Sequence, residues 1–586
     1  MIFFDSILSA VREKVGKPDL NLETPRDKSF GDFATNAPMQ LAKIEGRPPR
    51  EIADALVPKI QELDFVESAS VAGAGFINIK LRDGFIVEFA NKCGVWNVEC
   101  GVGNTENRPI VRNDAQAVET NINSTLHTPH STLTIVMDYG AYNVAKAMHI
   151  GHLRTSIVGD TLCRIAKFFG HRPISYNHMG DWGKPMATVI AWIIRLFPDD
   201  WNKPEFVPDT YGVNKEYYPT AANFAKENPE FLSEVLRIKK EFQDGHAEYF
   251  ALYEKILKIS LDEMNRTVAR LNILPFDNNL GERNAAGYLE PTEKILREKN
   301  MLVDDAGAVI IPVKRDDDTA PMPPLMFYDS RGADTYDSTD LATIYYRKIT
   351  DNPDLCIYIT DFRQNLHFKQ LFRASDMAGM IPLEKLEHIG YGTINGKDGR
   401  PFKTRDGTAA ALNDIIELTE EAAHARVAAG EKKLPEDTIK MIALAALKFN
   451  DLMHDVKSDY IFDPAAVTSF EGRTGPYILY TAVRLNSALK KSVDSGQWTV
   501  DSITNNHERD LLLKVLDFPK MIQAAFDKRA PDILANYTYE LCQLANGFYH
   551  NCPIKDDANR VTITKKTADT LSTCIDLMGL RIPDEM

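Results

Sequence analysis

The stretch from Leu133 to Gly170 constrains the fold more than any other part of the chain. Leu133 to Met137 is short, apolar and rich in branched side chains, and turn residues follow at once, which predicts a buried parallel strand. From His152 the period changes. Leu153, Ile157, Leu162, Ile165, Ala166 and Phe169 recur at helical spacing, and Gly170 stands where a helix would end in a left-handed residue. Between strand and helix lies His149-Ile150-Gly151-His152. Two imidazoles thus flank a glycine beside the unpaired N–H groups of a helix start, a place suited to phosphate.

The next segments extend this unit. Arg172 to His178 reads as a second strand, Met179 to Gly183 as a turn and Met186 to Phe197 as a helix, which together make a parallel α/β unit. A polar, proline-containing insertion (Pro198 to Pro229) is followed by a long helical pattern from Phe231 to about Leu271, whose charges are solvated faces. Between Pro275 and Pro382 the pattern turns strand-rich, with apolar runs at 308–313, 325–328 and 355–360. Tyr336 and Asp340, four apart, share a helical face. Gln364 and His367 fall at a strand end, where open parallel sheets carry their ligand groups. Asp316, Asp317 and Asp318 point in different directions and read as an exposed turn, not a magnesium site. From Gly390 to Gly407, five glycines accompany Lys397, Arg400, Lys403 and Arg405. This mobile cationic loop suits a polyphosphate whose charge grows in a transition state. A basic surface hairpin is the plainer alternative, and the His149–His152 segment weighs against it.

At 586 residues the chain is too long for one core and implies three or four domains. Met1 to about Cys100 alternates helical and strand patterns, and Phe76 and Asn78 share one face of a strand. They serve either as core and turn cap or as a base-stacking, base-reading pair. The first residues form an amphipathic docking helix and not a signal peptide, since Asp5 interrupts the apolar pattern. From about Gly101 to Ser131 the sequence is a polar linker or loose insertion, and its His127 and His130 read as loop residues and not metal ligands. After Ala409 the pattern is helical throughout, a bundle in which Tyr477, Tyr480 and Arg484 lie on one stripe. That stripe suits stacking of unpaired bases as well as plain helix packing. The net charge of −15 leaves nucleic acid open as a partner, because phosphate binding depends on local clusters of Lys and Arg. The best apolar run, Val189 to Phe197, is too short to span a bilayer and is broken by Arg195. Seven cysteines without a C-x-x-C pair argue against a zinc ribbon and fit a reducing cytosol.

Over nearly its whole length the chain resembles the bacterial arginyl-tRNA synthetases, a class I aminoacyl-tRNA synthetase family. The carriers are DKSFGDFATNAPMQLAK and GAGFINIKL near the N-terminus, the HIGH segment from Asp138 to Arg154, then YNHMGDWG, ADTYDSTDLA and DFRQNLHF. GKDGRPFKTRDG resembles the family's KMSKS loop, and SFEGRTGPYILYTAVR and the closing RIPDEM resemble its anticodon-binding part. The resemblance implies an α/β multidomain chain. Residues 1–110 would be an α+β N-terminal tRNA-binding domain, and 111–131 a polar linker or insertion. A Rossmann-like parallel-sheet catalytic domain would span 132–390, with insertions near 198–230 and 275–325. Residues 391–408 would be the KMSKS-like loop and 409–586 an all-α anticodon-binding bundle.

The same resemblance implies two-step charging of tRNA(Arg) with L-arginine through an adenylate, with ATP as substrate and Mg²⁺ as cofactor. Adenylation is expected to require tRNA, and the protein is expected to be a cytoplasmic monomer without a membrane partner. Carried over residue by residue, His149, Gly151, His152 and Lys146 are catalytic. Asp138, Asn143, His149, Tyr336, Asp340 and Gln364 hold arginine. Lys397, Lys403, Thr404 and Arg405 form the phosphate loop, and Phe76, Asn78, Tyr477, Tyr480 and Arg484 meet tRNA. These types suit a guanidinium, which is planar, always charged and satisfied by carboxylates and hydroxyls; lysine cannot present that fork.

Two departures stand out. Tyr142 replaces a proline common in the family before Asn143, so the turn's rigidity must come from elsewhere. Thr404 replaces a lysine usual in the class-wide loop, and Lys146 is expected to supply the missing charge. Two other functions compete: a tRNA-binding protein that lost catalysis, and a different class I synthetase such as a cysteinyl or glutaminyl one.

Overall fold

The computed structural model describes residues 3–25, 27–92, 132–402, 410–430, 433–492 and 498–586. The segment 101–131, Cys93, Cys100, Lys403, Thr404 and Arg405 lie outside the described residues. The chain divides into two compact units. One holds Met1–Pro129, Tyr477–Asp576 and Ile582–Met586; the other holds His130–Pro476 and Leu577–Arg581.

The second unit contains a five-stranded sheet. Its elements in chain order are β1 (Thr134–Asp138), α1 (Gly151–Phe168), β2 (Arg172–Met179), α2 (Lys184–Leu196), β3 (Asn278–Gly281), α3 (Glu282–Ala286), α4 (Tyr336–Thr350), β4 (Leu355–Asp361), α5 (Asn365–Ala378), β5 (Leu386–Tyr391) and α6 (Glu436–Leu452). The strand order is β5-β4-β1-β2-β3, and every neighbouring pair is parallel. This is the Rossmann-like sheet expected from the strand–helix–strand pattern. Because the order reverses between β1 and β4, a crevice opens at their C-terminal ends, which is where such sheets bind ligands. The β1 residues Ile135, Val136 and Met137 have no exposed surface, as a central strand covered on both faces requires. On one side Val136 joins a core of Tyr176, Leu341, Ile344, Tyr358, Phe368 and Leu371, so the helices that carry the site pack directly on the sheet.

The expected helix after His152 is α1, and Gly170 takes the left-handed conformation at φ 78°. The pattern from Phe231 to Leu271 is not one helix. It breaks at Asp244–His246 into Pro229–Gln243 and Ala247–Arg270. The strand-rich region also proves to carry four helices, Glu282–Ala286, Leu289–Glu298, α4 and α5. In the aspartate run only Asp316 and Asp317 are exposed; Asp318 turns inward and takes hydrogen bonds of 2.6 and 2.7 Å from Arg373. Among the described residues after Ala409, the regular elements are helices apart from the two-residue strand Tyr460–Ile461.

The first unit joins a three-stranded antiparallel sheet (Phe33–Thr35, Val66–Ala72, Phe76–Leu81) to a bundle of helices that includes Asn506–Asp527 and Pro531–Asn551. Arg509 links them: its guanidinium donates to both carboxylate oxygens of Asp32 (2.6 and 2.8 Å), to Asp83 (2.8 Å) and to the Leu81 carbonyl (2.8 Å). A bidentate pair of this kind fixes orientation as well as distance.

Candidate active site

The loop from β1 to α1 carries the first group of side chains. Ala141 and Ala145 adopt positive φ, 50° and 56°, a conformation that costs an L-residue roughly 1 kcal/mol each. Packing holds them there. Tyr142 is buried and its hydroxyl donates to Ser156 Oγ (2.7 Å), which in turn donates to the His152 carbonyl (2.5 Å). The Ala145 amide donates to Ser260 Oγ (2.9 Å). Tyr142 thus gives the turn its rigidity through a hydroxyl tied to α1, where a proline would have given it through a ring.

His149 and His152 stack, with ring centroids 3.8 Å apart and planes 18° from parallel. Backbone amides donate to both Nδ1 atoms, Gly151 N to His149 (3.1 Å) and His149 N to His152 (3.0 Å). An Nδ1 that accepts carries no proton, so each neutral ring keeps its hydrogen on Nε2. Burial, then the positive charge of Lys146, lowers the His149 pKa. Burial, His149 and Lys146 lower that of His152 further. The pair is therefore two neutral N–H donors, and cationic charge comes from Lys146, which is exposed and 6.0 Å from the centre of the Tyr218 ring.

A cavity of about 500 Å³ opens at the C-terminal ends of β1 and β4. Asp138, Asn143, Tyr336, Asp340 and Gln364 all line it, so the cavity gathers five of the six residues expected to hold arginine. Thr335 caps α4, its hydroxyl accepting from Ser338 N (3.3 Å), and the helix begins at Tyr336 with Asp340 one turn on. Asp340 lies 2.8 Å from His367 Nε2 and 3.4 Å from His178 Nε2. Burial alone would raise its pKa, but the two imidazoles outweigh burial and hold it well below the usual carboxylate range. His367 has Asp337 at its other nitrogen (3.0 Å), and against the opposing effect of burial the two carboxylates lift its pKa to about 9.

Asp138 lines the cavity but is already paired. It does not offer a free charge, because Arg347 Nη2 sits 2.6 Å from Oδ2 and the Arg347 guanidinium, fully buried, lies over the rings of Tyr176 (4.6 Å) and Tyr358 (5.1 Å). Its negative charge is cancelled inside the chain. Glu282, the first residue of α3, lies in the segment read from sequence as an insertion, yet it lines the same cavity. Burial raises its pKa to about 7, and no Lys, Arg or His among the described residues forms an ion pair with it. A half-buried carboxylate without an ion-pair partner, facing a cavity, is a ready partner for a cationic ligand.

The remaining predicted residues lie elsewhere. Lys397 is exposed and pairs with Asp463 (2.9 Å). In the first unit Phe76 is 37% exposed and Asn78 is buried on the same strand. Arg484 donates to Tyr480 (2.9 Å) and to Asn546 (2.7 Å), Asn546 donates to Tyr477 (3.0 Å), and the guanidinium lies over the rings of Tyr480 and Tyr549. Among the described residues no group of three or more His, Cys, Asp or Glu is placed to hold a metal ion, and no helix is long and apolar enough to cross a membrane.

Comparison with known proteins gives the same picture along the whole chain. The family model for tRNA synthetases class I (R), catalytic domain, matches residues 116–464. The arginyl tRNA synthetase N terminal domain matches 4–81 and the DALR anticodon binding domain 478–586. An arginine–tRNA ligase of Agathobacter rectalis is 34% identical over 98% of this chain and 96% of its own length. One of Hyphomonas neptunium is 35% identical over 95% and 94%. The fold is shared with solved arginyl-tRNA synthetases of Plasmodium falciparum (TM-score 0.79, 24% identity, covering 100% of this chain and 98% of that one) and Thermus thermophilus (TM-score 0.78, 23% identity, 99% of each). With its parallel sheet, its paired histidines at a helix start and its acidic cavity, the chain belongs to the arginine–tRNA ligases, class I synthetases that charge tRNA(Arg) with arginine.

Proposed function

We propose that the cavity between β1 and β4 is the arginine site and that the His149–His152 segment receives ATP beside it. The guanidinium sits between Asp340 and Glu282 with the Tyr336 hydroxyl at its edge. Asn143 and Gln364, both neutral, orient the α-amino and carboxylate groups. Two carboxylates match the fork of a guanidinium, and a lysine ammonium entering the same space leaves buried acceptors unpaired, which is the basis of rejection.

The reaction needs no protein nucleophile. Arginine's carboxylate oxygen attacks the α-phosphorus of ATP, the bond to the bridging oxygen breaks, and pyrophosphate leaves with the electron pair. The Nε2–H groups of His149 and His152 donate to phosphate oxygens as their charge grows. Lys146 and Lys397, with Lys403, Thr404 and Arg405 of the adjoining loop, supply the remaining stabilisation. Mg²⁺ arrives with ATP as part of that substrate, in keeping with the neutral N–H donors on the protein side. A ribose hydroxyl of the tRNA 3′ end then attacks the adenylate carbonyl and AMP leaves. Residues 1–110 and 409–586 bind tRNA, through Phe76 and Asn78 in the first and Tyr477, Tyr480 and Arg484 in the second. The enzyme acts as a cytoplasmic monomer.

The observation that carries this reading is Asp340 held ionised between two imidazoles while Glu282 faces the same cavity with no ion-pair partner among the described residues. Pyrophosphate exchange with arginine, run with and without tRNA, tests it. Asp340→Asn and Glu282→Gln should each raise KM for arginine, while KM for ATP stays near that of the parent. Two variants that leave KM for arginine unchanged would refute the assignment.

A further inference from the structure

Arg154 lies on α1, two residues beyond His152, and is fully buried. Neither it nor any of its partners lines the cavity between β1 and β4. Nη1 donates to the carbonyls of Gly392 (3.0 Å) and Ser458 (2.7 Å), and Nη2 to that of Asp455 (3.4 Å). Nε lies 3.0 Å from Oδ1 of Asp451, itself buried on α6, and the group stacks over the Tyr460 ring at 5.1 Å. Three pieces of chain therefore converge on one side chain: the helix that opens just after His149 and carries His152, the first residue after β5, and the segment between α6 and the strand Tyr460–Ile461.

Gly392 is the root of the glycine-rich cationic segment. Its amide donates to the Val456 carbonyl (3.0 Å), the next amide, Thr393, donates to Asp459 (2.6 Å), and Ile394–Asn395 pairs in parallel with Tyr460–Ile461. No side chain fits at this root, since a Cβ on Gly392 would lie 2.6 Å from the Ser458 carbonyl carbon and oxygen. The far end of the segment is tied to the same histidine region by main chain alone: Ile150 N donates to Ala410 O (3.2 Å) and Leu412 N to Met148 O (2.8 Å). Both ends are thus fastened to the stretch that bears His149 and His152, and Arg154 is the side chain that makes the fastening at the root. A planar fork with fixed donor directions can address several carbonyls at once; a lysine in its place cannot.

We infer that Arg154 is a positioning residue for adenylation, which sets the root of the cationic loop, and with it Lys397, relative to the histidine pair. It touches neither arginine nor ATP. Because the loop cations act on charge that develops in the transition state, displacement of the root lowers kcat and spares arginine binding. The inference rests on residues 391–408 acting on phosphate.

The test is tRNA-supported pyrophosphate exchange with Arg154→Lys, Gly392→Ala and the double variant, alongside Lys397→Ala/Lys403→Ala. Arg154→Lys is expected to lower kcat on the order of tenfold or more, with KM for arginine within about twofold of the parent. Gly392→Ala, which disturbs the same joint from its other side, should give the same signature and serves if Arg154→Lys does not fold. The double variant should be no slower than the worse single one, because both break one joint. If Arg154→Lys and Gly392→Ala lower only the unfolding midpoint and keep kcat, the residue is merely structural and the inference falls. It falls too if the loss appears in KM for arginine. Should the Lys397/Lys403 variant exchange at the parental rate, the phosphate role of the loop is wrong. Should that variant be slow while Arg154→Lys is not, only the positioning role is wrong.

Discussion

Nε2 of His367 lies 2.8 Å from a carboxylate oxygen of Asp340, and the other ring nitrogen lies 3.0 Å from Asp337. A neutral imidazole has one N–H, so a ring with a carboxylate at each nitrogen is satisfied only as imidazolium. Asp340 is thereby fixed in orientation and kept charged before any ligand arrives. His367→Asn, which removes one of the two donors, should raise KM for arginine by about tenfold to a hundredfold, the worth of one charge-assisted hydrogen bond. Exchange kinetics at saturating ATP and tRNA measure this, and His367→Gln should recover part of the loss if its amide reaches Asp340.

Arginine binding should depend on pH through Glu282. Its pKa, raised by burial to about 7, leaves it protonated in acid, whereas a guanidinium is held by the carboxylate. KM for arginine should therefore rise as pH falls below about 7, approaching tenfold per pH unit, and level off above it. His178, raised from its usual value against burial by Asp340, works in the same direction, since losing its proton removes a positive charge from the cavity floor. His367, with a pKa of about 9, stays charged across this window. Glu282→Gln should flatten the profile, and a KM that is constant from pH 6 to 8 in the parent enzyme would contradict the assignment.

Lys146 is the cation that both histidines respond to. Lys146→Ala should lower kcat for arginine activation by about a hundredfold, as loss of one preorganised charge does. It should also move both imidazole pKa values upward when they are followed by NMR. Unchanged adenylation would remove Lys146 from the phosphate site.

Gly579 illustrates a stability effect remote from the chemistry. It sits at φ 65°, and a Cβ there would lie 2.3 Å from Lys448 Nζ and 2.7 Å from Asp160 Oδ2, two buried groups 3.4 Å apart. Lys448 also donates to the carbonyls of Leu271 (3.1 Å) and Gly579 (3.2 Å). Gly579→Ala should destabilise the protein by about 3 kcal/mol because it adds displacement of a buried charge to backbone strain. Gly472→Ala, at φ 81° with nothing near its Cβ, should cost only about 1 kcal/mol, and urea unfolding of the two variants separates the terms.

Much of the sheet is legible in the sequence because β1, α1 and β2 each carry their own period, and Tyr336 with Asp340 follows from helical spacing alone. Glu282 is not legible. It belongs to a five-residue helix with no periodic signal, and only the parallel pairing of β2 with β3 brings it to the cavity. Arg347 is equally silent: its sequence neighbours say nothing of Asp138, which lies 209 positions away. The one available signal was type, an arginine three positions beyond Ile344 on the buried face of α4. Arg154 was visible as part of the histidine-containing motif, but its partners 238 to 304 residues further on were not. Local periodicity reveals elements, whereas the charge balance of a site depends on contacts that only the assembled sheet creates.

The arginine site depends most directly on Asp340. In tRNA-supported pyrophosphate exchange, Asp340→Asn should raise KM for arginine by at least about a hundredfold, the cost of removing a partly buried charge that pairs with a guanidinium, while KM for ATP stays within a fewfold of the parent. A variant that activates arginine with the parental KM would place the substrate elsewhere and contradict the account.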